Sequence, residues 1–314
     1  MAHYSNFSRE EWNELQHSVF TGLTDRALQA LVESNKYISQ REITEIYQPL
    51  TEFLLNLMQE AQDLPVSRSK FRSTETTRVP YVIAIAGSVA VGKTTTARIL
   101  QTMFTDSKNT PRVELVSTDG FLYPLAQLKA LDLVARKGFP ETYDNLALIQ
   151  FMKDVKAGLP EVSVPVYSHV SYDIVPDKFQ ILRQPDILII EGLNVLQSDL
   201  HPSAKLEPEA PSTNTLSDFL DYSIYVDADE SNIEQWYVDR FLTLRDTIFQ
   251  DSGSFFHRFA DMSTEQAKEA AHHVWQTINL TNLRENIAPT RERAHLIIEK
   301  EADHSIQRIR LRGM

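Results

Sequence analysis

From Ile43 onward the apolar positions fall at Ile46, Tyr47, Leu50, Phe53, Leu54, Leu57 and Met58, spacings of three and four that gather on one helical face. Ser8 with Glu11, and Ser39 with Glu42, have capping-box spacing, so residues 1 to about 63 read as helical. Pro49 lies inside this pattern and predicts a kink or interruption. The polar stretch from Gln62 to Arg78 reads as a linker. The period then changes. Short apolar, β-branched runs at residues 82–86, 113–117, 187–191, 222–226 and 295–299 alternate with helical stretches, as a mostly parallel α/β sheet flanked by helices requires. Residues 306–312 alternate and read as a further strand, whose three arginines most simply face solvent. Residues 201–216, rich in Pro, Ser and Glu, read as an insertion loop, and no internal repeat is present. The expected organisation is a helical extension with linker over residues 1–77 and a core over residues 78–314, together one folded unit.

The first apolar run feeds Gly87-Ser88-Val89-Ala90-Val91-Gly92-Lys93-Thr94, which fits G-x-x-x-x-G-K-[ST], and Thr95 to Phe104 then reads as a helix. A strand, a glycine loop and a helix start in that order aim several backbone N–H groups at one point. The helix N-terminus adds partial positive charge there, and both suit phosphate. In this arrangement Lys93 reaches the terminal phosphates and the Thr94 hydroxyl serves Mg²⁺. The core is therefore expected to be a phosphate-loop nucleoside triphosphatase fold that binds ATP and Mg²⁺ through residues 87–95.

Composition narrows the partners. A formal charge of −12 argues against a general nucleic-acid binder. The absence of cysteine excludes disulfides and Cys-based zinc sites and fits a reducing compartment. No run of about 18 apolar residues occurs, and the start of the chain, with Arg9, Glu10 and Glu11 around Trp12, lacks the apolar centre of a signal peptide. The expectation is a cytoplasmic protein without a membrane partner.

Phosphoryl transfer needs charge neutralisation, an aligned nucleophile and often a carboxylate to take its proton. Asp119 follows the second expected strand, where a parallel sheet delivers side chains to its ligand-binding edge, and is the leading base. Glu191 closes the run Asp186-Ile187-Leu188-Ile189-Ile190 and stands where a carboxylate orients Mg²⁺, directly or through water. Tyr237, Arg240, Phe241 and Leu244 share a helical face. Such a stripe is ordinarily core, but an arginine on it needs an anion; the residues alone leave a carboxylate and a triphosphate both open. Residues 166–173 place Tyr167 and Tyr172 around His169 in an expected loop, which suits a pocket for a small amphipathic molecule. His272-His273 is expected on a helix surface. There is no HExxH spacing and no G-x-S-x-G elbow, so metalloprotease and serine-hydrolase chemistry have no support.

Beyond the phosphate loop, five blocks follow in order: Ser117-Thr118-Asp119-Gly120-Phe121, Lys137-Gly138-Phe139-Pro140-Glu141, Pro165-Val166-Tyr167-Ser168-His169, Glu191-Gly192-Leu193-Asn194-Val195-Leu196-Gln197 and Ile287-Ala288-Pro289-Thr290-Arg291. With Trp236-Tyr237 and Arg240-Phe241 they closely resemble the bacterial type I pantothenate kinases over nearly the whole chain. The resemblance implies ATP-dependent phosphorylation of pantothenate to 4′-phosphopantothenate, the first step towards coenzyme A. It implies Asp119 as base, Tyr167, His169, Tyr237 and Asn279 as pantothenate ligands, and Lys93, Thr94 and Arg240 at the phosphates and Mg²⁺. It also implies a homodimer and feedback inhibition by coenzyme A, through Arg98, His169 and an aromatic pocket of Phe241, Phe256 and Phe259. Two positions depart from the family pattern. Thr94 stands where Ser is frequent, which keeps the hydroxyl, and Phe259 stands where some relatives have Tyr, which removes one. The alternatives are a kinase resembling uridine kinase or phosphoribulokinase, which would share Lys93 and Asp119, and a nucleotide-driven switch or metallochaperone, which the lack of cysteine disfavours.

Overall fold

The structure, a computed structural model, describes residues 3–15, 23–34, 37–72, 79–107, 111–197 and 214–313. Its strands are β1 (Tyr4–Ser8), β2 (Tyr81–Gly87), β3 (Val113–Ser117), β4 (Val162–Ser168), β5 (Asp173–Leu182), β6 (Ile187–Glu191), β7 (Tyr222–Ala228), β8 (Leu296–Lys300) and β9 (Ile306–Arg312). Its α-helical segments are α1 (Arg9–Glu14), α2 (Asp25–Ser34), α3 (Gln40–Glu42), α4 (Gln48–Arg72), α5 (Lys93–Thr105) and α6 (Leu125–Ala130). They continue with α7 (Asn145–Lys156), α8 (Glu230–Arg245), α9 (Thr264–Val274) and α10 (Leu280–Asn282).

Strands β3-β6-β2-β7-β8 pair in parallel, and β9 and then β1 extend the sheet antiparallel beyond β8. Every residue of β2 and of β6 is buried, because helices cover both faces of the sheet centre; these strands therefore read as continuous apolar runs rather than alternating ones. Parallel pairing also fixes where their ends lie. Glu191 stands opposite both Ile85 and Ser117, and Gly87 stands opposite Val226, so the loops after β2, β3 and β6 leave one edge together.

The expected strands are present, including the C-terminal one, whose Arg308 and Arg310 pair with Glu299 and Glu292. Four expectations need correction. The N-terminal region is not all helical: Tyr4–Ser8 is the edge strand β1, in register with β9 from Tyr4↔Arg312 to Ser8↔Arg308. Its few residues carry no periodic signal of their own, and pairing across the whole chain supplies the conformation. The linker does not begin at Gln62, since α4 runs on to Arg72; residues 73–78 lie outside the described part. Pro49 does not break the helix. A π turn over Ile43–Tyr47, closed by the Gln48 N–H on the Ile43 carbonyl, precedes it and widens the turn that the proline ring must enter. Of residues 166–173, expected as a loop, only 169–172 form one, as the turn of an antiparallel hairpin whose strands β4 and β5 take the rest. Of the expected insertion at 201–216, residues 201–213 lie outside the described part.

The N-terminal helices pack on the core directly. Trp12 is 3% exposed and its Nε1 donates to the Ile46 carbonyl at 3.2 Å; the Tyr47 hydroxyl meets Thr96 on α5 at 3.3 Å; Phe53 meets Tyr222 edge-on at 5.9 Å. Among the described residues no helix is long and apolar enough to cross a membrane. The expectation that both parts fold as one unit can be measured. Trp12→Ala should cost about 3–5 kcal/mol in chemical denaturation while the transition stays single by fluorescence and circular dichroism. An unchanged midpoint, or two separate transitions, would contradict it.

Candidate active site

The loop from Gly87 to Gly92 turns off β2 into α5, with Ala90 at φ 64° and Gly92, the helix N-cap, at φ 104°. A left-handed N-cap with no side-chain cap leaves the first N–H groups of α5 free to face an anion. Lys93 Nζ donates to the Ser88 carbonyl at 2.8 Å, folding its ammonium back over its own loop. Ser88 Oγ is buried and, among the described residues, has no partner, an orphaned donor in the loop itself. A phosphate group fits both features. Burial holds the Lys93 pKa below its ordinary value, against the pull of Glu191 and Asp119, and the positive charge of Arg240 acts in the same direction as burial. That places Arg240, from α8, near the loop. The half-open question of its anion has no protein answer: among the described residues Arg240 forms no ion pair.

Glu191, at the end of β6, is 7% exposed and accepts from Thr94 Oγ1 at 3.1 Å, with Ser117 as a second donor. Burial raises its carboxyl above the usual range and the Lys93 charge opposes that. A hydroxyl and one carboxylate are the oxygen donors that Mg²⁺ takes beside phosphate oxygens and water. Among the described residues no cluster of three or more His, Asp or Glu offers an all-protein metal cage. The Thr94–Glu191 pair therefore fits a metal carried in with a nucleotide.

Asp119 sits in a short 3-10 turn, Thr118–Phe121, where its N–H is held by Ser117 Oγ at 3.3 Å. Gly120 makes the next contact possible: a Cβ there would lie 2.3 Å from the Pro165 carbonyl oxygen, so only glycine lets β4 approach this closely. The hairpin is tied down further by Asp173, which accepts from the Leu125 N–H at 2.9 Å, and by Gln180, which donates to the Leu115 carbonyl at 3.1 Å. Asp119 lies at the centre of the resulting cluster, since its charge helps to raise the pKa of Tyr143, Tyr167 and Tyr172, for each of which burial is the larger cause. Among the described residues the buried Tyr143 hydroxyl has no partner.

Lys137 is the residue that sequence reading passes over. Its Nζ donates to the Tyr172 carbonyl and lies 5.0 and 4.1 Å from the ring centroids of Tyr167 and Tyr172. Burial pushes its pKa down to about 8, against Asp173 and Asp119. Gly138 anchors its turn, the carbonyl accepting from both Asn194 and Asn282 at 3.1 and 3.0 Å. Lys137 stands in a quoted block, but only burial beside two tyrosines distinguishes it from a surface lysine. Tyr172, expected with Tyr167 and His169 in a pocket, sits at φ 56° in the hairpin tip.

The remaining expected residues are placed as follows. Tyr167 and His169 meet edge-on at 5.2 Å, His169 being exposed. Tyr237 hydrogen-bonds the Asn279 side chain and feels the charge of Arg240. Phe241, Phe256 and Phe259 do form one aromatic cluster, with Phe249 at its centre: Phe241–Phe259 is 5.3 Å and Phe249–Phe256 is 5.1 Å between centroids. The cluster reaches the hairpin tip through Phe255, whose N–H donates to the Val170 carbonyl at 2.9 Å and whose ring stacks on Tyr172 at 5.1 Å. Arg98 is exposed on α5. His272 and His273 are exposed on α9, as expected.

Comparison with known proteins places this geometry in a wider group. Residues 82–245 match the model of the phosphoribulokinase / uridine kinase family. A pantothenate kinase of Brevibacillus brevis is 48% identical over 99% of this chain and 96% of its own. One of Myxococcus xanthus is also 48% identical, over 100% of this chain and 97% of its own. A solved D-glycerate 3-kinase from Cryptococcus neoformans shares the fold at a TM-score of 0.53 and 15% identity, covering 82% of this chain and 96% of that one.

Proposed function

Because this chain belongs to the pantothenate kinases within the phosphoribulokinase / uridine kinase family, we propose that it transfers a phosphoryl group from ATP to the primary hydroxyl of pantothenate. The product would be 4′-phosphopantothenate, the entry to coenzyme A. The observation that carries the reading is the grouping of Lys137, Tyr167 and Tyr172 around Asp119, beside the phosphate loop. Polar and aromatic groups at this density suit a small molecule that is polar at its ends and apolar between them. A sugar phosphate or a nucleoside would make less use of the phenylalanines that continue the aromatic cluster from Tyr172.

In this reading the backbone of residues 87–95 cradles the phosphates, with Lys93 and Arg240 offsetting their charge. Thr94 and Glu191 would hold Mg²⁺, which supplies further charge neutralisation when bound. Asp119 accepts the proton of the attacking hydroxyl, and Tyr167, His169, Tyr237, Asn279 and Lys137 orient the rest of the acceptor. The hairpin, held against Gly120, keeps the acceptor hydroxyl next to Asp119. Feedback inhibition by coenzyme A belongs to the same proposal, with Arg98 and His169 on its phosphates and Phe241, Phe256 and Phe259 around its thiol end. So do a homodimeric state and a cytoplasmic location, the latter in keeping with a chain that lacks cysteine.

Asp119→Asn should leave ATP binding intact and lower turnover of pantothenate by on the order of 10²-fold or more. Near-normal turnover would remove Asp119 from the proton transfer. Lys137 is charged below its pKa of about 8 and neutral above it. KM for pantothenate should therefore climb as the pH is raised from about 7 to about 9, whereas Lys137→Met should be weak and flat across that range. A flat wild-type profile would exclude the ammonium from acceptor binding. Arg98→Ala should weaken coenzyme A inhibition by about tenfold while sparing turnover, and unchanged inhibition would refute the regulatory assignment.

A further inference from the structure

We propose that Lys300 and Glu42, both outside the G-x-x-x-x-G-K-[ST] motif, form a positioning pair that sets the phosphate loop from behind and thereby controls ATP affinity. The inference rests on the loop being the nucleotide site, and not on the identity of the acceptor.

Lys300 closes β8, opposite Ala228 of β7. Its side chain crosses to the loop, where Nζ donates to the Val91 carbonyl at 3.2 Å. The approach is close: a Cβ on Gly92 would lie 3.1 Å from Nζ. In a trans peptide the carbonyl and the following N–H point opposite ways, and no cis bond is present here. Holding the Val91 carbonyl towards Lys300 therefore aims the Gly92 N–H away from it. The ammonium also adds positive charge at the turn into Lys93. The Trp236 ring centroid lies 5.3 Å from Nζ and closes one side.

Glu42 supplies a buried negative charge that acts on Lys300 through space, without an ion-pair contact between the two among the described residues. It is 2% exposed, and its carboxylate accepts the Ile306 N–H of β9 while Oε1 has no partner among the described residues. Ser39 caps α3 by accepting the Glu42 N–H at 3.0 Å, yet the Glu42 side chain does not return to close the expected capping box. It turns inward instead. Lys300 is the leading positive charge acting on it, followed by Arg9, which is itself bonded to Glu45. Burial pushes Lys300 down to about 8, with the Glu42 charge opposing that shift. The pair links the N-terminal segment, β8, β9 and the loop, four parts of the chain that the motif alone would leave unconnected.

The test is direct titration of Mg²⁺-ATP into the protein without any acceptor, so that an error in the acceptor assignment cannot affect it. Lys300→Met should weaken ATP binding by about tenfold or more, since a hydrogen bond from a charged donor is lost. Lys300→Arg, which keeps the charge, should recover part of that loss. Glu42→Gln should weaken binding by about threefold or more, with KM for the acceptor unchanged within about twofold. A purely structural tie would lower the melting temperature of these variants and leave ATP binding within about twofold of wild type, which would overturn the proposal. If Lys300→Met does not fold, Glu42→Gln decides the matter on the same titration.

Discussion

Parallel register is the constraint on which the site depends. Glu191 stands opposite Ile85 on one side and Ser117 on the other, and Gly87 stands opposite Val226. Once these strands pair, the phosphate loop, the Glu191 carboxylate and the Asp119 turn must emerge at the same edge, because successive strands of a parallel sheet end there together. None of the three needs a special local conformation to find the others. Slipping β6 by one residue would instead turn its apolar side chains to opposite faces and carry Glu191 away from Thr94.

The second layer of organisation is charge held out of water. Lys93, Glu191, Lys137 and Lys300 are all shifted towards their neutral forms by burial, and each is opposed by a carboxylate or an ammonium within the same few residues. An anion entering such a site meets positive charge that solvent screens poorly, which strengthens its binding relative to a surface cluster. The same groups hold one another in place: Thr94 on Glu191, Lys93 on Ser88, Lys300 on Val91. The side proposed for the acceptor is built differently, from a hairpin pressed against Gly120 and an aromatic cluster that runs from Tyr172 through Phe249 to Phe241.

What the sequence makes legible follows from range. The phosphate loop, the apolar strands and Asp119 after β3 each announce themselves within a dozen residues, and resemblance adds the acceptor and the roles of distant blocks. The edge strand β1 depends on β9 at the other end of the chain, so its own residues carry no signal. The hairpin β4–β5 is hidden by Pro165 and Pro176 within its strands and by faces that are only partly buried. Lys137, Lys300 and Glu42 look like ordinary surface residues in the linear chain, and only tertiary packing buries them. Pro49 is the opposite case, a local signal overridden by a π turn just upstream.

Phosphorylation of pantothenate is the reaction on which the whole reading of the site turns. The most direct measurement is mass spectrometry of the products formed by the purified protein from Mg²⁺-ATP and an equimolar mixture of pantothenate, uridine and ribulose 5-phosphate. 4′-Phosphopantothenate is expected as the only new phosphate ester. Phosphorylated uridine or ribulose bisphosphate in its place would contradict the acceptor assignment while leaving the phosphate-loop chemistry standing.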